Sequence, residues 1–436
     1  MNPTALFLWA VAHLAGQSGP MTMDQAIEAA LEHAFSIRLA EVDISKSEQV
    51  TRQLRTALGP TLSAQGTYTR FDRATTSDFG GSGSVVISPI DQKKVDLTLS
   101  MPIDISGTKR LAISANKKLT QAGRETMEAQ INTVKGSVRT AYLNVLKARD
   151  LMSVRKEAVA LREATVKNAR LGLEQGSLAK VDVVQAETQL AAAQGELIIA
   201  QNQYGLAKKA LNSVIGRPVE TEFEVAEVQV GERPLTQKLE GLQESAIGTR
   251  AEVRSLKTTL DAYDTSLKAA KRLLLPDVRL SVVHSRNIDA GGFGARKEST
   301  TGVAVVSFPI YDGGNVSYQV GQYKEDQARV RVLLEQTLLG VSFEVQQAMA
   351  NHADALARLA IATEAVRLSE EALRVIQVKY TEGEAIQIEV DRAQTDLTTA
   401  KTNLVIAKYD VLSAYAQLQK AVGADDLGAK AEGANS

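Results

Sequence analysis

Four histidines, His13, His33, His284 and His352, are the only imidazoles of the chain, and no two stand at the i, i+4 spacing with which one helix face grips a metal ion. His352 falls on a heptad seam, where an interior imidazole is the plainer reading than a ligand. There is no cysteine, which removes thiolate catalysis, thiolate metal sites and disulfides together and is compatible with an oxidising compartment. Carboxylates abound, 51 against 50 lysines and arginines, yet on long helical periods they read as solvated faces rather than acid–base pairs. The glycines Gly80, Gly81 and Gly83, and again Gly291, Gly292 and Gly294, lack the GxxxxGK[ST] or GxGxxG context of a phosphate cradle and read as flexible loops. No catalytic, cofactor-binding or metal-ligating residue is therefore assigned. A formal net charge of −1 gives no basic field for nucleic acid.

The elements carrying these residues occur twice. GSLAKVDVVQAETQL starts at Gly176 and GEAIQIEVDRAQTDL at Gly383, 207 positions later, and both copies run without insertion to a capping glycine, Gly216 or Gly423. Large residues alternate with alanine at heptad spacing: Val183, Ala186, Leu190, Ala193, Leu197, Ala200, Tyr204, Ala207, Leu211 and Val214 in the first copy. Val390, Ala393, Leu397, Ala400, Leu404, Ala407, Val411, Ala414, Leu418 and Ala421 answer them in the second. Such a seam brings helices close together. Taken alone it is better described as an ordinary coiled-coil rod.

Upstream of each copy the period is again helical. Val138, Val145 and Met152 lie on a seam matched by Val345, His352 and Leu359. That helix, from about Ser106 to Glu174, would reach about 100 Å at 1.5 Å per residue. Before it comes alternation of period two. Leu62, Ala64, Gly66 and Tyr68 alternate with polar residues, as do Val95, Leu97, Leu99 and Met101, ending at Pro102. In the second half Val278, Leu280 and Val282, then Ala304, Val306 and Phe308, repeat the pattern and end at Pro309.

The expected organisation is a signal peptide at 1–16, a first repeat at 17–216 with a β-hairpin at 60–102, and a connector at 217–249. A second repeat at 250–423 with a hairpin at 276–309, and a tail at 424–436, complete it. The Ala5–Ala15 apolar run is of signal length, and Gln17 stands where a lipid-bearing cysteine would be needed, so lipid anchoring there is excluded. No later apolar run is long enough for a membrane-spanning helix. Each short helix plus its returning helix nearly equals the long helix, so the two can stack end to end beside it. Two hairpins cannot close their own edges. Alternating strands of about ten residues suit a membrane barrel, and four per chain require several chains to close it.

This plan resembles the TolC-type outer-membrane efflux proteins. SMPIDISG (Ser100 to Gly107) and SFPIYDGG (Ser307 to Gly314) at the strand-to-helix junctions carry the resemblance, through Pro102, Gly107, Pro309, Gly313 and Gly314. So do the turns RLGLEQGSLAKVDVVQAETQL and VKYTEGEAIQIEVDRAQTDL. The resemblance implies a mainly α protein with membrane β structure: a long helical coiled-coil barrel, with four strands per chain contributing to a trimeric twelve-stranded barrel. It implies the exit duct of a tripartite efflux or type I secretion system in a Gram-negative outer membrane, extending into the periplasm. The partners would be further copies of itself, a periplasmic adaptor (membrane fusion protein), an inner-membrane pump and outer-membrane lipid. A non-channel coiled-coil structural or adaptor protein of the envelope is the alternative.

By the same resemblance the acid six positions after the turn glycine, Glu389 in the second copy and Asp182 in the first, is a candidate for the tunnel constriction. Three copies of Glu389 would form a cation-attracting ring. Asp391 and Arg392 join Glu389 in the expected entrance set, although Arg392 occupies a position where some members carry a second acid, which weakens a double acidic ring. A solvated helix face is the plain alternative. Gly172, Leu173, Gly176, Leu178 and Asp182 at the first turn, with Gly383, Ala385 and Ile386 at the second, resemble the adaptor-docking surface. Leu173 and Ile386 could equally cap the coiled-coil core.

Overall fold

The computed structural model describes residues 19–78, 84–228, 238–289 and 296–424. The signal segment, the glycines at 80–83 and 291–294, Pro234 and residues 425–436 lie outside the described residues. Helices α1 (Met23–His33) and α2 (Phe35–Thr56) precede strands β1 (Thr61–Arg70), β2 (Thr75–Asp78), β3 (Ser84–Ser88) and β4 (Asp91–Ile103). Then come α3 (Thr108–Glu174), α4 (Lys180–Ile215), α5 (Leu239–Thr249) and α6 (Ala251–Lys271). β5 (Asp277–Asn287), β6 (Glu298–Ser307), α7 (Asn315–Thr381) and α8 (Gln387–Val422) complete the order. The long helices α3 and α7 are each 67 residues and the returning helices α4 and α8 each 36. No described helix is long and apolar enough to cross a membrane.

The chain divides into two compact units. One holds α1, α4, α5, α8 and the Thr126-to-Glu174 and Thr337-to-Thr381 stretches of α3 and α7. Its largest apolar cluster gathers Val138, Tyr142, Val145 and Leu146 of α3, Leu211 and Ile215 of α4, and Ala26 and Ala30 of α1. The Tyr142 hydroxyl lies 2.8 Å from the carbonyl oxygens of both Met21 and Ala226, pinning a parallel bridge between Met21 and Val225. In this unit α8 touches both long helices. Lys147 of α3 and Arg358 of α7 both reach Asp410, and Lys401 meets Glu157 of α3 and Glu370 of α7. Gly216 and Gly423 end α4 and α8 in the left-handed conformation, as the sequence suggests. The first seam closes one position late: Ile215 is buried and Val214 is exposed.

The other unit holds α2 from Ala40, α6 from Arg254, the strands, and the α3 and α7 segments up to Glu125 and Gln336. Ser47 and Thr51 of α2 bond Thr120 and Asn116 of α3, and Lys118 of α3 reaches Thr265 and Asp261 of α6. The sheet is antiparallel in the order β1-β4-β5-β6, with Thr61 opposite Ser100, Ser100 opposite Ser281, and Ser281 opposite Val303. That register puts Leu62, Leu99, Val282 and Gly302 in one row, and Ala64, Leu97 and His284 in another on the same face. Gln65, Asp96 and Ser285 align on the opposite face, where Ser285 donates to Asp96 at 2.6 Å.

Three expectations change. Pro102 lies inside β4 rather than ending it, because β1 stops at Thr61 opposite Ser100 and leaves no partner on that side to miss its N–H. The first hairpin carries an extra two-stranded extension, β2 with β3. Met23 and Leu239 begin matching helices 216 positions apart while Gly107 and Gly314 are 207 apart, so this hairpin region accounts for nine extra residues. Finally, the segment read as connector contains α5, the counterpart of α1; its short run and the nine-residue offset hid it from the repeat frame.

Candidate functional site

Each long helix ends in the same turn. Gly176 (φ +77°) donates to Leu173 and Ser177 to Gly172; Gly383 (φ +79°) donates to Tyr380 and Glu384 to Lys379. Glycine is required at both because the left-handed conformation strains any residue with a Cβ. Six residues on, both candidate acids cap their own helices. The Glu389 carboxylate accepts from the Ile386 N–H at 3.1 Å, and Asp182 accepts from the Ala179 N–H at 3.0 Å. Both sit in the first turn, where a negative charge is favoured by the helix dipole. Glu389 and Arg392 are exposed.

Asp391 is not part of any exposed entrance set. It is buried, and its carboxylate accepts from Arg162 of α3 at 2.7 Å. Arg162 also donates to the Asp391 carbonyl and to Thr395, while Gln387 donates to Asp391 and Gln394 to Thr165. Sequence reasoning missed this cluster. A signal existed: the repeat partners of Arg162 and Asp391 are Ser369 and Val184, a charged-for-neutral mismatch at both ends of one contact.

The docking candidates separate. Ile386 is 65% exposed and Leu173 is at the edge of exposure, so Ile386 does not cap the core. Leu178 turns inward onto Val166, Ala169, Val183 and Ala186. A Cβ on Gly172 would fall 2.7 Å from its Cδ1, so Gly172 is small because Leu178 covers it. Ala385 is half-buried.

At the strand-to-helix junctions Gly107, Gly313 and Gly314 all have positive φ. Asp104 accepts from the N–H groups of Lys109 and Arg110, and Asp312 from those of Gly314 and Val316. Those backbone bonds, Val316 foremost, hold the Asp312 carboxyl below its ordinary pKa. Pro309 follows β6, and beyond it Ile310 and Tyr311 are almost fully exposed. Among the described residues no group of three or more histidines or carboxylates could hold a metal ion.

The family model for outer membrane efflux proteins matches residues 26–217 and 242–424. The chain belongs to the outer membrane efflux protein family, whose fold and setting are those of outer-membrane channel proteins of Gram-negative bacteria. Curated relatives include the outer membrane efflux protein BepC of Brucella suis, 28% identical over 195 residues, covering 44% of this chain and 42% of that protein. Nodulation protein T of Rhizobium leguminosarum is 22% identical over 332 residues, covering 75% of this chain and 66% of its own. The chain thus spans less than two thirds of either relative. Among solved structures, CusC superimposes with a TM-score of 0.78 at 17% identity, covering 92% of each chain. VceC of Vibrio cholerae gives 0.76 at 20%, covering 92% of this chain and 96% of its own.

Proposed function

We propose that the chain is one third of a homotrimeric exit duct through the outer membrane and into the periplasm, serving a tripartite efflux or type I secretion system. The open sheet carries this reading. β1 and β6 are both edge strands with an unpaired backbone side. One face of the sheet carries apolar rows, Leu62 with Leu99 and Val282, and Met101 with Leu280 and Ala304, giving way to His284, Thr300, Arg286 and Glu298 toward the loop end. In water such a sheet is a liability; in lipid it must close on further copies. Exposed apolar side chains on α4 (Val184, Ile198, Leu206) and on α7 (Leu339, Phe343, Ile361) give those copies helical surfaces to meet. Solved structures resembling this fold include the outer membrane channels CmeC of Campylobacter jejuni and MtrE of Neisseria gonorrhoeae.

Glu389 would line the periplasmic entrance as a ring of three. Leu173 and Ile386 would meet a periplasmic adaptor, which joins the duct to an inner-membrane pump. Native mass measurement in mild detergent, with conductance in planar bilayers, tests the reading. Three chains and an ohmic pore are expected; a monomer, or a trimer that never conducts, overturns it.

A further inference from the structure

The two returning helices pose a pairing problem. α4 and α8 have the same length and the same apolar seam, with Val183, Ala186 and Leu190 matching Val390, Ala393 and Leu397. On its hairpin side α3 holds α4 through Val166 and Ala169; on its other side it holds α8. Apolar packing alone gives that second side little reason to prefer α8 over the α4 of another copy.

We infer that the buried cluster of Arg162 and Thr165 on α3 with Asp391, Gln394 and Thr395 on α8 selects the order of hairpins around the assembly. A second copy's α4 placed on α3 would put Val184 where Asp391 stands and Lys180 where Gln387 stands. Arg162, 8% exposed in the native contact, would then be buried without a carboxylate and beside a like charge. The converse error, a second copy's α7 on the Asp391 side of α8, offers Ser369 and Ala372 in place of Arg162 and Thr165. Asp391 would then be buried without a cation. Both like-on-like arrangements are penalised, and only alternation of first and second hairpins satisfies every charge.

The cluster is poorly built as a source of stability. Asp391 Oδ2 and Gln394 Oε1 are buried with no hydrogen-bond partner. Buried ion pairs of this kind are commonly replaced by apolar residues without loss of stability. A selecting role and a merely cohesive one therefore separate experimentally.

The inference rests on the proposed assembly of several copies, so the native mass is measured first; a monomeric protein defeats that reading rather than this one. The chain lacks cysteine, so introduced thiols are unique. Glu157 of α3 lies 2.6 Å from Lys401 of α8, and Gln194 is the repeat counterpart of Lys401. With a short bis-maleimide, Glu157→Cys/Lys401→Cys should join within one chain, and Glu157→Cys/Gln194→Cys should give only background covalent dimer. Adding Arg162→Met/Asp391→Leu should leave the melting temperature unchanged or higher, yet raise the 157–194 dimer about tenfold or more. Val184→Asp, at a position 51% exposed in the chain, should raise the same dimer with the native cluster intact. Background dimer in either folded, trimeric variant overturns the inference.

Discussion

α4 and α8 began as one design and now occupy different environments. Six residues of α4 are buried in the chain against seventeen of α8. Some seam positions agree, Leu211 and Leu418 both being fully buried, but others do not: Val214 is exposed where Ala421 is buried. The difference is widest beside the seam, where α8 has Asp391, Tyr409 and Leu412 buried, and α4 carries Val184, Asn202 and Gly205 at the same places. A seam therefore secures only the hairpin contact within a repeat. The second face of α8 turns it into an interior helix, while α4 presents apolar Val184, Ile198 and Leu206 to whatever lies outside the chain.

The largest expected effect comes from transplanting one residue across the repeat. Asp391→Val leaves Arg162 buried beside neutral groups, which should cost about 3–5 kcal/mol by denaturant titration. Val184→Ala, at the equivalent place on α4, should stay within about 0.5 kcal/mol in the unassembled chain. Equal costs would erase the distinction between the helices. Next come the seam alanines. Ala400→Leu overpacks a buried site and should cost about 1–3 kcal/mol, whereas Ala193→Leu, at a half-buried one, should cost less in thermal melts.

The turns invert their sizes between repeats, Gly172 with Leu178 in the first and Lys379 with Ala385 in the second. Gly172→Ala should destabilise, and Leu178→Ala should make that substitution harmless, with a coupling of at least about 0.5 kcal/mol in a double-mutant cycle. Additive costs would mean that Leu178 does not set the size at Gly172.

His352 distinguishes the long helices in the same way, since Val145 is its counterpart. It is 1% exposed, its ring tilts against Tyr415, and its Nε2 has no hydrogen-bond partner. Burial lowers its pKa, so the folded chain holds the neutral ring. As pH falls through the unfolded value of about 6.5 toward the lower folded one, the unfolded chain takes up the proton first and stability declines. The melting temperature of His352→Val should fall less than that of the parent between neutral and mildly acidic pH.

The repeat, the seams, the long helices and the alternating strands were legible because periodicity reports which face is buried. Pro102 misled because a proline stops a strand only where a partner needs its N–H, and that depends on where β1 ends. α5 was missed because it falls outside the fixed offset. Asp391 was read by its neighbours in sequence, as an entrance acid beside Glu389. Its burial depends on Arg162, 229 positions away, which no local spacing reveals.

Glu389 remains the sharpest point of comparison between the turns, and the smallest expected effect on stability. It and Asp182 occupy equivalent positions and make equivalent capping bonds, to the backbone N–H of Ile386 and of Ala179 respectively, so capping cannot tell them apart. A glutamine side-chain oxygen can accept the same bond from the backbone, so Glu389→Gln should fold and assemble as the parent does. If three Glu389 carboxylates surround the entrance, the substitution removes three charges from a confined aqueous passage, and single-channel recordings should show weaker cation selectivity and less block by multivalent cations. The equivalent change at Asp182 should matter less if the first turn faces outward to the adaptor. Unchanged selectivity in Glu389→Gln together with a clear change in Asp182→Asn would reverse the assignment of inner and outer hairpins.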